Sequence, residues 1–300
     1  MIEFIQHIVN GVSLGAIYAL IALGYTMVFG ILQLINFAHG EVYMLGAFSG
    51  YYLSRYFKLS QNPGFLSLTL ALIGSMAICA LIGFCIERFA YRPLRSRPRI
   101  NVLITAVGVS LLIQYAGQLF FGADPKYFPE LYSAGEALSF HGVQMNRLQL
   151  LVLIISLILM VALRVIIFNT KLGKAMRAVS FNHKLAALMG IPVDGIISFT
   201  FMLGSALAAA AGILVGLTYP KIEPLMGMMP GMKAFVAAVF GGIGNVTGAV
   251  VGALTMGLAE EFVVGYWAST YRDALAFAIL ILILLFKPTG LFGRKTSEKV

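Results

Sequence analysis

Residues 65–89 read FLSLTLALIGSMAICALIGFCIERF, and residues 90–99 continue as AYRPLRSRPR. The first stretch carries no charge until Glu87 and Arg88. About 20 apolar residues in a helix cross the hydrocarbon core of a bilayer. From 88 to 99 the chain then holds Arg88, Arg92, Arg95, Arg97 and Arg99 and no acid. Arginine left uncompensated at the end of an apolar run marks the cytoplasmic side. The pair of stretches therefore predicts a transmembrane helix that ends inside.

The same reading extends along the whole chain. Apolar runs fall at 8–30, 36–56, 65–89, 101–121, 148–168, 195–219, 232–265 and 271–287. Apolar residues make up 60% of the 300 positions and charged residues only 11%, against about 25% charged in a soluble domain. So few charges cannot coat a water-exposed surface. This excludes a soluble enzyme, a disordered chain and a disulfide scaffold. The expected fold is an all-α polytopic transmembrane bundle of about eight membrane segments, one domain over 1–300. Between the runs lie turn sequences such as Gln61-Asn62-Pro63-Gly64 and Lys287-Pro288-Thr289-Gly290, as expected outside lipid. The opening MIEFIQH lacks a basic leader region, so the first run is expected to stay in the mature protein.

The net charge of +9 reflects where the cations sit. Lys171, Lys174, Arg177 and Lys184 form a second acid-free tract, and Lys287, Arg294, Lys295 and Lys299 oppose only Glu298 in a third. Three basic tracts beside apolar runs report orientation, and no nucleic-acid partner is expected. The segment 122–147, with Asp124, Glu130 and Glu136 against Lys126 and Arg147, suits the outer face. Cys79 and Cys85 share one apolar run and read as packing residues.

Placing all three tracts inside creates a parity problem. One span for 232–265 would leave the chain's end outside. That run is too long for one span and is broken by Gly241-Gly242-Ile243-Gly244-Asn245. Two segments near 232–240 and 247–265, either full spans or a re-entrant half-helix pair, restore the parity. The N-terminus then falls outside if both early runs cross. Glycines four apart occur at Gly46/Gly50, Gly212/Gly216 and Gly244/Gly248/Gly252. Such spacing lets helix backbones approach closely in lipid.

Catalytic motifs are missing. His7, His39, His141 and His183 form no HExxH, and there is no GxSxG elbow or GxxxxGK[ST] phosphate loop. No metal site is expected, because one His and one carboxylate supply too few ligands. Asn36, His39 and Glu41 make a polar cluster inside the second run. Such groups line a pathway or gate, or sit in an interfacial turn. The tract 170–192 is too polar to span. Asn182 is placed to cap a second short helix, which Gly190 and Pro192 would stop. Leu185, Leu188 and Met189 share one face of it. It reads as an interfacial amphipathic helix or as a helix presented to a cytoplasmic partner.

Thr170–Ile191 resembles the cytoplasmic coupling loop of ABC importer permeases, whose motif is Glu-Ala-Ala-x-x-x-Gly. Here Lys184-Leu185-Ala186 stand before Gly190, a departure at the glutamate and the first alanine. Three further stretches resemble the H-type permease subunits of high-affinity leucine/isoleucine/valine importers. They are Asn36–Glu41 leading to Leu45-Gly46-Ala47, Gly231–Phe235 leading to Gly241–Ala249, and Pro288–Gly293. The likeness covers essentially the whole chain in order.

The resemblance implies a multi-pass permease of a bacterial inner membrane, moving branched-chain amino acids by alternating access. It is no enzyme and binds no cofactor itself. ATP and Mg would sit on two cytoplasmic ATPase subunits. A second homologous permease and a periplasmic amino-acid-binding protein complete the set of partners, with lipid around them. Arg177, Lys184, Leu185, Ala186, Ala187 and Gly190 are the candidate coupling residues. Asn36, His39, Glu41, Gly241, Gly242, Gly244 and Asn245 are candidates for the pathway or gate, and Gly244, Gly248 and Gly252 for helix packing. The rival readings are an ABC permease for another amino acid or a simple sugar, and a secondary carrier that needs no ATPase.

Overall fold

A computed structural model describes residues 2–95, 97–133, 138–140 and 143–293. Arg294, Lys295, Glu298 and Lys299 of the third basic tract, with Glu136 and His141, lie outside the described residues. Among the described residues, seven helices are long and apolar enough to cross a membrane. They are α1 (Ile2–Leu32), α3 (Phe65–Cys85, continued by wider and tighter turns to Leu94), α4 (Arg99–Phe121), α5 (Arg147–Asn169), α8 (Val193–Thr218), α10 (Val246–Tyr266) and α11 (Arg272–Phe286, which spans together with the tight turn Ser269–Tyr271 before it). Of two further helices, α2 (His39–Tyr56) is 18 residues long but less apolar, and α9 (Met228–Gly241) is apolar but only 14 residues long. The short α6 (Lys171–Phe181) and α7 (His183–Leu188) sit between α5 and α8.

Two helices form the core. The most apolar stretches of α1 and α8 are 83% and 78% buried, against 17%, 22% and 11% for α4, α5 and α11. Small residues make this possible. Gly46 of α2 packs on Ala209 of α8, and Gly212 of α8 packs on the Tyr43 carbonyl of α2. A Cβ at either glycine would overlap the facing backbone. Without a hydrophobic drive between helices in lipid, such backbone approach supplies the attraction. On the other side of α1, Gly11 and Gly15 meet Leu258 and Leu254 of α10.

Two short pairings close the end opposite the basic tracts. β1 (Lys126–Tyr127) pairs antiparallel with β4 (Lys221–Ile222), and β2 (Leu138–Phe140) with β3 (Val143–Met145). The Gln6 side chain bonds the Gln144 backbone at this end, which puts the start of α1 outside. From there α1 runs inward, and the parity closes with α9 and α10 as two antiparallel segments. The turn between them spans 242–245, and Phe240 and Gly241 accept hydrogen bonds from Leu291 and Phe292 just past α11. Both ends therefore lie with Lys287 on the cytoplasmic side.

Neither α2 nor α9 begins at a membrane surface. His39, the first residue of α2, lies 3.1 Å (Nε2) from the Ile21 carbonyl of α1. Ile21 is about 16 Å of helix rise from the cytoplasmic end of α1. The chain re-enters through 33–38, with Gln33 at φ 55°, before α2 starts. In the same way, 223–227 runs inward from β4 before α9 starts. Each of these crossings is a non-helical stretch followed by a helix: 33–38 ends in a turn at 37–38, and 224–227 is a run of turns held by Met226 N to the Glu223 carbonyl and Met228 N to the Leu225 carbonyl.

Candidate functional site

The two deep helix starts meet. Gly227, at the entry to α9, packs against Gly40 near the start of α2, and a Cβ on Gly40 would lie 2.6 Å from the Gly227 carbonyl oxygen. A Cβ on Gly231 would lie 2.8 Å from the Gly40 Cα. Helix starts expose unpaired N–H groups and carry the positive end of the dipole. Lipid tolerates such broken helices only where they face protein or a cavity. Both conditions hold at this junction. The α2–α9 start forms a cavity of about 190 Å³ together with Tyr25 of α1 and with Val107, Ser110, Leu111 and Gln114 of α4.

Asn36, His39 and Glu41 are all buried at this level, so they do not stand in headgroup water. Asn36 Oδ1 accepts a hydrogen bond of 2.8 Å from the Tyr91 hydroxyl, which the wide-turn segment Ile86–Tyr91 delivers. The His39 ring packs edge-on against Tyr25 at 4.7 Å between centroids. Glu41 lines the cavity, and its Oε2 has no hydrogen-bond partner among the described residues.

The glycine-rich break serves the cytoplasmic end. Gly242 and Gly244 take φ 106° and 91°, values that only glycine adopts without strain. Asn245 caps α10 by accepting from Gly248 N at 3.1 Å, and its Nδ2 donates to the Phe292 carbonyl. Gly244, Gly248 and Gly252 do not form the single helix ladder that their spacing suggested. Gly244 stands in the turn, before α10 begins, and therefore lies on no helix face. Gly241 of α9 supplies the close contact instead, packing on Gly248, while Gly252 packs on the Ala237 carbonyl.

At the cytoplasmic face Thr170 caps α6 through Gly173 N, and Asn182 caps α7 through Lys184 N and Leu185 N. Gly190 at φ 79° ends that turn. Of the coupling candidates, Ala186 is buried, whereas Arg177, Lys184, Leu185, Ala187 and Gly190 are exposed. Phe181, Leu185, Leu188 and Met189 together leave a large apolar patch uncovered. His183 Nε2 lies 2.8 Å from the Ile31 carbonyl at the end of α1. The α7 turn is thus tied to the point where the chain leaves α1 for the α2 start.

Two charge networks escaped the sequence reading. Lys233 of α9 and Glu260 of α10 pair at 2.7 Å, both buried, with Asp273 2.7 Å from Lys233. The Tyr18 hydroxyl donates to Glu260 at 3.0 Å. Both charges stood inside the 232–265 run, and an ionisable residue at membrane depth is expected to have a partner. That signal was available in the sequence. The second network joins Glu87, buried in the first basic tract's helix, to Arg95 and Ser198, and joins Arg95 and Arg92 to Asp194 at the start of α8. The first tract is therefore partly neutralised across helices. Burial lowers the proton affinity of the Arg95 guanidinium, and Asp194 opposes that shift.

Residues 7–284 match the family described as branched-chain amino acid transport system / permease component. The chain belongs to this permease family. It is 41% identical over 302 residues to the high-affinity branched-chain amino acid transport system permease protein LivH of Escherichia coli (strain K12), covering 99% of this chain and 98% of the relative. It is 43% identical over 305 residues to the corresponding permease protein BraD of Pseudomonas aeruginosa, with coverage of 99% and 98%. The xylose/arabinose import permease protein XylH of Sulfolobus acidocaldarius is more distant, at 25% identity over 260 residues, 83% of this chain and 67% of that protein. As a member of the permease family, the chain is a multi-pass membrane transport subunit.

Proposed function

We propose that this permease is one transmembrane subunit of an ATP-driven importer that carries branched-chain amino acids across a bacterial inner membrane. The chain acts as a single permease domain, with residues 170–192 as its coupling loop. The observation that carries the reading is the uncovered apolar patch on α7, fixed to the end of α1 through His183. A secondary carrier has no use for such a surface. Two ATPase subunits would cover it and hold the ATP and Mg²⁺, since this sequence has no phosphate loop.

In this reading, ATP-driven closure of the ATPase pair moves α7. The His183–Ile31 contact passes the displacement to the end of α1 and to the 33–38 entry. The α2 start and the facing α9 start then shift relative to each other, and the pathway at the junction changes its open side. A second permease faces the exposed α4 side, and a periplasmic binding protein delivers substrate from outside. Differential binding of ATP to the two states supplies the bias such a switch requires.

Reconstitution in liposomes tests the reading. Leucine uptake is expected only when the second permease, the ATPase pair, the loaded binding protein and ATP are all present. Leucine uptake by this chain alone under an ion gradient would overturn it.

A further inference from the structure

The cavity at the α2–α9 junction has a chemical composition that names a ligand. Glu41 is buried, yet its Oε2 points at no donor among the described residues while lining the cavity. A buried carboxylate oxygen without a donor costs free energy unless something bound there supplies one. Beside it, the first turns of α2 and α9 line the cavity and bring the positive ends of two helix dipoles to it. Ser110 of α4 is a neighbour of the Glu41 carboxylate, without a hydrogen bond to its Oε2, and Gln114 adds a second neutral hydrogen-bonding group to the lining. Val107, Leu111 and Met232 complete an apolar side. One cavity thus offers an anion for a cation, helix starts for an anion, and an apolar wall. The volume is about 190 Å³, somewhat more than the ~150 Å³ that admits a benzene.

We propose that this cavity is a transit site for the zwitterionic α-amino acid. Glu41 receives the substrate's ammonium group, the positive end of the α9 dipole at Gly227–Met228 faces its carboxylate, and the Val107/Leu111/Met232 wall accepts its aliphatic side chain. This rests on the importer reading above and deepens it. The permease then senses both the amino-acid headgroup and the side-chain size, in addition to whatever the delivering protein selects.

The test uses the complete importer in liposomes, with its binding protein loaded with leucine or alanine, and compares only complexes whose assembly co-purification confirms. Glu41→Gln removes the charge and keeps the shape, and leucine uptake is expected to fall at least tenfold. Glu41→Asp should restore uptake to within about threefold of wild type. Val107→Phe narrows the apolar wall without touching the headgroup, and the leucine-to-alanine uptake ratio should fall at least threefold relative to wild type. A junction that carries no substrate would leave that ratio unmoved. Uptake by Glu41→Gln within twofold of wild type overturns the proposal. So does an unchanged ratio in Val107→Phe, whatever Glu41→Gln does, because the junction would then hold packing or a side chain of the other permease. Failure of the wild-type complex to import either amino acid would instead refute the importer reading itself.

Discussion

Lys233→Met is a direct probe of how this bundle keeps charge at membrane depth. The ammonium lies 2.7 Å from Glu260 and 2.7 Å from Asp273. Glu260 is fully buried and also takes the Tyr18 hydroxyl at 3.0 Å. Arg272 Nε is 3.0 Å from the same carboxylate, but without hydrogen-bond alignment. Methionine preserves the apolar stem and removes only the charge. What is lost is one buried charge-assisted hydrogen bond, about 1.5–3 kcal/mol. Asp273 is half-exposed, so losing its partner adds about 0–1 kcal/mol. An uncompensated buried charge would cost about 3–5 kcal/mol, and Arg272 keeps the loss below that. The expected destabilisation is about 2–3 kcal/mol. Adding Glu260→Gln removes the stranded anion, so the double variant should be more stable than the two single losses predict, by at least about 1 kcal/mol. Unfolding by SDS in mixed micelles, followed by helical ellipticity, reads these differences. Trp267, the single tryptophan, lies just past α10 and gives an independent probe of whether the transition is two-state. A Lys233→Met loss below about 0.5 kcal/mol, or strict additivity in the double variant, would refute the coupled-pair account.

Three further outcomes are expected. Leu188→Glu and Ala187→Glu place an anion on the exposed α7 patch, and ATPase co-purification should drop at least tenfold while membrane insertion is unchanged; normal co-purification would remove α7 from the docking surface. Thr247→Cys, beside the 242–245 turn, should react with a membrane-impermeant maleimide only from the cytoplasmic side, and Ser269→Cys only from outside; labelling of both from one side would break the antiparallel α9–α10 arrangement. Gly212→Ala should cost about 1–3 kcal/mol, because its methyl meets the Tyr43 backbone; an unchanged unfolding midpoint would show that α2 and α8 do not approach as described.

The spans were legible because each carries a local constraint. In lipid every backbone polar group must be satisfied within the segment, so a helix such as 148–168, observed as Arg147–Asn169, declares itself by apolar length alone. The basic tracts declared orientation for the same local reason. The break at 241–245 and the Asn182 cap also depend on a few neighbouring residues, and the chain shows both where the sequence placed them. The deep starts of α2 and α9 were not legible. Their meeting at Gly40 and Gly227 joins distant parts of the chain, and nothing near either glycine in sequence names the other. Lys233 with Glu260 and Glu87 with Arg95 and Asp194 likewise become partners only when helices pack.

What the sequence by itself determined is therefore the membrane class, the spans, their orientation and the short capped helices facing the cytoplasm. Only the tertiary structure decided that Asn36, His39 and Glu41 are buried at a junction of two broken helices, that Gly244 belongs to a turn, and that Lys233 pairs with Glu260 and Glu87 with Arg95. The physical reason is range. Apolar length, capping and the side preference of arginine act over one segment, whereas a cavity between helix starts and a buried ion pair exist only once separate segments share the same space.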